Sequence, residues 1–188
     1  MRIIDSKEMT DEQLLQGCIV NDATAQKGLY DKYSRKMFGV CLRYAANHEE
    51  AEDLLQEGFV KVFQNLSSFN SEGSFEGWIR KIIVNTALDF IRSQKLVWSD
   101  QEIEDDQMAD DATMEKLEVK ELLKLINALP TGFRTVFNLY AIEGYHHREI
   151  GEMLGVSENT SKSQYARARV QLAKQIKNIY QTTTTIPS

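Results

Sequence analysis

The sequence predicts an all-α protein in which two small helical domains are joined by an acidic linker. Three observations predict it. Apolar residues recur at three- and four-residue spacing over long stretches, the period of helices with one buried face. Only 2 prolines and 10 glycines punctuate 188 residues, too few for the turns of a sandwich or barrel. Charge is also unevenly spread: residues 96–117 hold 8 acidic side chains and 1 basic, whereas residues 118–188 hold 9 basic and 6 acidic. One short segment thus carries most of the net charge of −6, and the acidity of the whole chain hides a basic C-terminal part.

The first domain is expected over residues 8–95. Thr10, with Gln13 three residues on, reads as a capping box opening a helix through Leu14, Leu15, Cys18 and Ile19. A second helix covers about Ala23 to Ala46, with Leu29, Tyr33, Met37, Val40, Cys41 and Tyr44 as its apolar face. The third, about Glu49 to Leu66, has the clearest period: Ala51, Leu54, Leu55, Gly58, Phe59, Val62, Phe63 and Leu66. A polar loop, Ser67 to Gly73, precedes a fourth helix from near Ser74 to about Gln94. Its inner face is Phe75, Trp78, Ile79, Ile82, Ile83, Thr86 and Phe90.

Residues 96–117, with the run WSDQEIEDDQMADDATMEK, lack a period and repel themselves, so they read as the linker. The second domain is expected over residues 118–180. A helix ends before Pro130, another carries Phe133, Val136, Phe137 and Tyr140 to Gly144, and a short one runs from His146 to Leu154. Gly155 closes it, Ser157 caps a long last helix to about Tyr180, and residues 181–188 read as a frayed tail. The joint Gly155-Val156-Ser157 matches a helix-turn-helix.

Chemistry-bearing patterns are few. No GxxxxGK[ST], GxGxxG or GxSxG occurs, and the adjacent His146 and His147 cannot share a helix face as in HExxH. The acidic run lacks the glycine kink of a calcium loop. No catalytic residue, metal site, cofactor or small-molecule substrate is therefore expected. Cys18 and Cys41 are isolated, and Met1 to Thr10 has no apolar signal core, so the expected compartment is the reducing cytoplasm. On the last helix, Ser161, Tyr165, Ala168 and Leu172 are spaced to face inward. The opposite face carries Asn159, Lys162, Ser163, Ala166 and Arg167: short polar groups at a helix start suit base edges, and cations suit phosphates. On the fourth helix, Lys81, Asn85, Leu88, Arg92 and Lys95 form a one-sided basic strip with Asp89 beside it, close to the aromatics Phe69, Phe75 and Trp78. Such a neighbourhood suits unpaired nucleic acid, although the period favours the core for Phe75 and Trp78 and leaves Phe69 ambiguous. The third helix shows Asp53, Gln56, Glu57, Val60 and Gln64 outward, a stripe that spacing alone reads as solvated surface and only secondarily as a partner face. Residues alone leave open a plain helix-turn-helix regulator and a helical adaptor that binds no DNA.

Three stretches, in order, resemble the bacterial RNA polymerase sigma factors of the extracytoplasmic-function (ECF) group of the sigma-70 family. AEDLLQEGFVKVF, Ala51–Phe63, resembles the core-polymerase-binding helix of region 2. FEGWIRKIIVNTALDFIR, Phe75–Arg92, resembles the melting and −10 recognition segment. Leu129-Pro130 followed by FNLYAIEGYHHREIGEMLGVSENTSKSQYARAR, to Arg169, resembles the region 4 helix-turn-helix. The resemblance implies a promoter-specificity subunit that binds core polymerase, recognises −35 and −10 elements and promotes strand opening. It implies that Asp53, Gln56, Glu57 and Val60 face the β′ clamp coiled coil, and that region 4 meets the β flap. Phe69, Asn70, Ser74, Lys81, Asn85, Asp89, Arg92 and Lys95 would serve the −10 element. Arg148, Ser157, Asn159, Thr160, Lys162, Ser163, Gln164, Arg167 and Arg169 would serve the −35 element. Departures are Ser161 where an aliphatic residue is common, Gln164 where Arg is common and Tyr165 where Leu is common. The resemblance also implies an anti-sigma factor as a further partner, one that would hold the chain at the inner membrane, and a linker threaded through the positively lined cleft of the polymerase. Elements roughly 16–17 base pairs apart lie ~55 Å apart at about 3.4 Å per pair. A linker of about 20 residues reaches ~70 Å, enough to engage both at once.

Overall fold

The structure of the protein, a computed structural model, describes residues 9–94 and 119–183. Lys95, the acidic linker and the tail beyond Thr183 lie outside the described residues. Every regular element among those described is helical: α1 (Asp11–Ile19), α2 (Ala23–Tyr44), α3 (His48–Asn65), α4 (Phe75–Ser93), α5 (Val119–Asn127), α6 (Thr131–Phe137), α7 (His147–Leu154) and α8 (Glu158–Thr183). The chain divides into two compact units, the first ending at Ile91 and the second starting at Arg92.

In the first unit local chemistry sets the helix ends. Thr10 and Gln13 form the expected capping box, with the Thr10 N–H donating to Gln13 Oε1 at 2.9 Å. Asp22 accepts from Thr24 N–H at 2.7 Å to open α2, and Asn47 accepts from Glu50 N–H at 2.8 Å to open α3. The apolar faces of α1, α2 and α3 then meet in one core of Leu14, Leu29, Tyr33, Met37, Leu54, Phe59 and Val62.

α4 is buried more widely than its period predicts. Phe75, Ile79, Ile83 and Thr86 are inside as expected, but so are Val84, Ala87, Leu88 and Ile91. Leu88, expected within the exposed basic strip, is 2% exposed and belongs to the core. The reason is that α4 has neighbours on two sides. Tyr33 of α2 meets Phe75 edge-on at 6.0 Å, and Lys36 of α2 pairs with Glu76 at 2.7 Å. On the other side Lys61 of α3 reaches Asp89.

In the second unit α8 is the spine. α5 packs along its middle, where Ile126 and Leu129 meet Ala168 and Leu172, while α6 and α7 lie against its first half. The helix expected from Phe133 to Gly144 is α6 followed by a wider π turn, Asn138–Ile142, in which Glu143 N–H donates to Asn138 O at 2.9 Å. The bulge lets Asn138 and Leu139 both go inside while Tyr140 stays at the surface. α7 ends at Gly155, whose φ of 69° is the left-handed conformation that glycine adopts without a Cβ clash. The turn then folds back so tightly that a Cβ on Gly151 would sit 2.8 Å from Val156 O. Backbone cannot yield there as a flexible side chain would. Gly151→Ala is therefore expected to destabilise the second unit by about 1–3 kcal/mol. Hydrogen exchange should show lost protection within α7 and α8 while α1 to α4 keep theirs.

Candidate nucleic-acid and partner interfaces

Burial on both flanks of α4 leaves a narrow outward strip, on which Lys81, Asn85, Asp89 and Arg92 are exposed one turn apart. The loop before α4 is shaped by its own chemistry. Asn70 Oδ1 accepts from Glu72 N–H at 3.2 Å, Ser71 and Gly73 adopt positive φ, and Ser74 Oγ accepts from Gly77 N–H at 3.0 Å to cap α4. Phe69, left ambiguous by its period, is half-buried: its ring lies 5.0 Å from Phe75 and 5.6 Å from Trp78. Phe75 and Trp78 stack at 5.8 Å, with Phe75 buried and Trp78 half-buried. The loop Asn70–Ser74 thus stands on an aromatic base and shows polar groups outward, next to cations. That combination can stack or hydrogen-bond an unstacked base.

On α3, Asp53, Gln56, Glu57 and Val60 are all exposed, and Val60 is an apolar side chain 54% in solvent among acids and amides. Sequence reasoning missed the other wall of this face. Tyr30, Ser34, Arg35 and Phe38 of α2 line an open groove with Glu52, Leu55 and Gln56 of α3. Their signal was present in the sequence: they sit beside the buried stripe Leu29, Tyr33 and Met37, at spacings that continue it outward. Tyr30 packs edge-on against the buried Phe59 at 4.8 Å, which anchors this wall to α3.

In the second unit, Ser157 Oγ accepts from Thr160 N–H at 2.9 Å and so caps α8. Asn159, Lys162 and Arg169 are exposed, and Ser163 and Arg167 are half-buried. Lys162 pairs with Glu158 at 2.6 Å, and Arg148 of α7 lies 3.6 Å from Glu152. Two expected base-facing residues are turned inward. Thr160 is 5% and Gln164 2% exposed. The buried stripe of α8 is widened because α6 and α7 cover it from two sides, so Gln164 joins Ser161 and Ala168 inside. Tyr165 is only half-buried, in a ring cluster: 4.5 Å from Tyr140, 5.7 Å from His147 and 5.9 Å from Phe137. Tyr140 and His147 stack at 4.2 Å, and His147 Nδ1 hydrogen-bonds the buried Ser161 hydroxyl at 3.0 Å.

Among the described residues no three His, Cys, Asp or Glu side chains converge to hold a metal. Both cysteines are buried; burial pushes the Cys18 thiol up to about 11 and the Cys41 thiol up to about 12, which makes them poor nucleophiles.

Comparison with known proteins matches this geometry in order. The family model described as Sigma-70 region 2 matches residues 29–97, and that described as Sigma-70, region 4 matches residues 120–172. The chain is 28% identical over 186 residues to the ECF RNA polymerase sigma factor SigW of Bacillus subtilis, covering 92% of this chain and 100% of that protein. It is 32% identical over 182 residues to the ECF RNA polymerase sigma factor SigE of Mycolicibacterium smegmatis, covering 89% of this chain and 70% of that protein. Among solved structures, the sigma factor RpoE in complex with the anti-sigma factor NepR from Bartonella quintana shares the fold. The TM-score is 0.51 at 22% identity, over 80% of this chain and 96% of that one.

The ring cluster makes the second unit sensitive to acid. Burial pushes the His147 imidazole below its ordinary value of 6.5, the nearby Lys162 charge adds to this, and Glu158 opposes it. A histidine depressed in the folded state stabilises the fold fully above about pH 6.5 and loses that contribution as pH falls through its folded value. An NMR titration should place the His147 midpoint below 6.5. The second unit of wild type should lose more stability between pH 7 and pH 5 than that of His147→Phe.

Proposed function

Because the chain belongs to the ECF group of the sigma-70 family, we propose how its residues divide the family's work. As a member it is a promoter-specificity subunit rather than an enzyme. Its regions 2 and 4 bind core RNA polymerase and promoter DNA and support initiation of transcription.

The assignment rests on one observation: each unit turns a polar face outward on a helix whose other sides are packed against its neighbours. On α4 this face is Lys81, Asn85, Asp89 and Arg92, next to the loop Asn70–Ser74 on its Phe69 base. It takes the −10 element as the bases unstack. Unstacking costs a few kcal/mol per base, and capture in the loop offsets it. On α8 and α7 the face is Ser157, Asn159, Lys162, Ser163, Arg167, Arg169 and Arg148. It takes the −35 duplex, with the cations on phosphates and the short polar groups on base edges. Thr160 and Gln164 hold the helix from within and drop out of the set of DNA contacts. Asp53, Gln56, Glu57 and Val60, with the groove wall of α2, dock the β′ clamp coiled coil, and region 4 meets the β flap. Residues 8–95 and 118–180 act as the two domains, with 96–117 as the tether. An anti-sigma protein covering these faces is part of the reading, supported by the related fold solved with one. No described helix is long and apolar enough to cross a membrane. The proposed site of action is the cytoplasm, at the inner membrane when such a partner holds the chain there.

A chain of net charge −6 has little attraction for DNA on its own, so binding should depend on the polymerase. Run-off transcription with purified core enzyme is the test, and RNA with a defined start is expected. Arg167→Ala should lower its yield about 5- to 150-fold, the equivalent of about 1–3 kcal/mol of lost contact. Lys81→Ala should weaken all promoters alike and reduce the salt slope by about one. A tight gel shift without core enzyme, over palindromic half-sites, would instead assign the chain to self-sufficient regulators.

A further inference from the structure

One cation sits between the two faces of the first unit. Lys61 of α3, 32% exposed, places Nζ 2.9 Å from Glu57 Oε1 and 3.3 Å from Asp89 Oδ2. Glu57 stands one turn back on α3, beside Gln56 and Val60, on the face proposed for the polymerase. Asp89 stands on α4, one turn from Asn85 and three residues before Arg92, on the strip proposed for the promoter. Two carboxylates therefore share one ammonium across a helix boundary. Burial pushes the Lys61 amine down, but the hydrogen bonds and charges of Glu57 and Asp89 outweigh it and hold it above its ordinary value. It is an ammonium at any physiological pH.

Building on the sigma-factor reading, we propose that Lys61 is a positioning residue that links polymerase docking to promoter binding by dividing its charge between Glu57 and Asp89. A partner that fits an exposed Glu57 is basic at that point. Once its cation takes Glu57, Lys61 is left to Asp89, and the promoter strip becomes less repulsive to phosphate. In the free chain Glu57 draws on the same ammonium, and Asp89 keeps more of its negative charge beside the DNA path. Linkage then runs both ways: promoter binding, which favours a neutralised Asp89, favours release of Glu57 to the partner. The pairs are partly exposed, so the effect is a few-fold modulation rather than an on-off switch.

The test is a mutant cycle in the assembled holoenzyme with Lys61→Gln, Lys61→Arg, Asp89→Asn and the Lys61→Gln/Asp89→Asn double variant. Two quantities are measured separately: affinity of the labelled chain for core enzyme, and promoter-complex formation as a function of salt. Lys61→Gln should reduce promoter-complex formation about threefold at low salt, with the gap closing as salt rises. Its affinity for core enzyme should be equal or tighter. Lys61→Arg should behave as wild type, and Asp89→Asn should remove most of the Lys61→Gln defect. If the defect persists unchanged in the double variant, Lys61 acts on DNA or on packing directly and the proposal is wrong. A parallel loss of core affinity in Lys61→Gln sinks it as well. If wild type starts no RNA with core enzyme, the sigma-factor reading falls and takes this one with it. A wild type that initiates normally while the cycle shows no coupling overturns the Lys61 role alone.

Discussion

Each unit holds its outward polar strip on a helix whose other sides are packed against neighbouring helices. α4 is enclosed by α2 and α3, and α8 by α5, α6 and α7. Wide burial fixes the rotation of such a helix about its axis, because turning it by one residue would push Leu88 or Ala168 into water and bring Lys81 or Lys162 inside. Burying an unpaired ammonium costs far more than any single apolar contact returns. The polar strip is therefore held in place by the core behind it, and its side chains are presented in a fixed register to whatever docks.

The same economy shapes the electrostatics. Many exposed cations near these faces have an acid beside them: Lys162 with Glu158, Lys61 with Glu57 and Asp89, Arg148 with Glu152, Lys36 with Glu76. Pairs of this kind add little to stability. Their larger effect is to flatten the positive potential of each strip. A partner that competes for the acids restores that potential locally.

What the sequence made legible was local. The Thr10–Gln13 box, the left-handed Gly155, the Ser157 cap and the stripe of α3 all depend on residues within one or two turns of each other, and periodicity or capping chemistry reads them directly. Leu88 was misread because a single helical wheel assumes one buried side, whereas α4 has neighbours on two; Thr160 and Gln164 were expected at the DNA from the family resemblance alone, and α6 and α7 cover them. The π turn at Asn138–Ile142 escaped because its cause is the tertiary fit of Asn138 and Leu139, not any breaker in the sequence. The α2 wall of the groove escaped for a related reason: Tyr30 and Phe38 lie beside the stripe of Leu29, Tyr33 and Met37, and a groove exists only once α3 is placed next to them.

The ring cluster shows how departures at Ser161 and Tyr165 hold together. A serine hydroxyl in a fully buried position costs about 1–3 kcal/mol if it finds no partner. His147 meets that demand at 3.0 Å, Tyr140 stacks on the histidine ring at 4.2 Å, and Tyr165 packs against Tyr140 at 4.5 Å. The π turn is what brings Tyr140 within stacking distance. Ser161, His147, Tyr140 and Tyr165 therefore form one interlocked support for the start of α8. An aliphatic residue at 161 alone would strand the histidine, and a leucine at 165 alone would open space beside Tyr140. The members of the cluster depend on one another, and the orientation of the helix proposed for the −35 element rests on them.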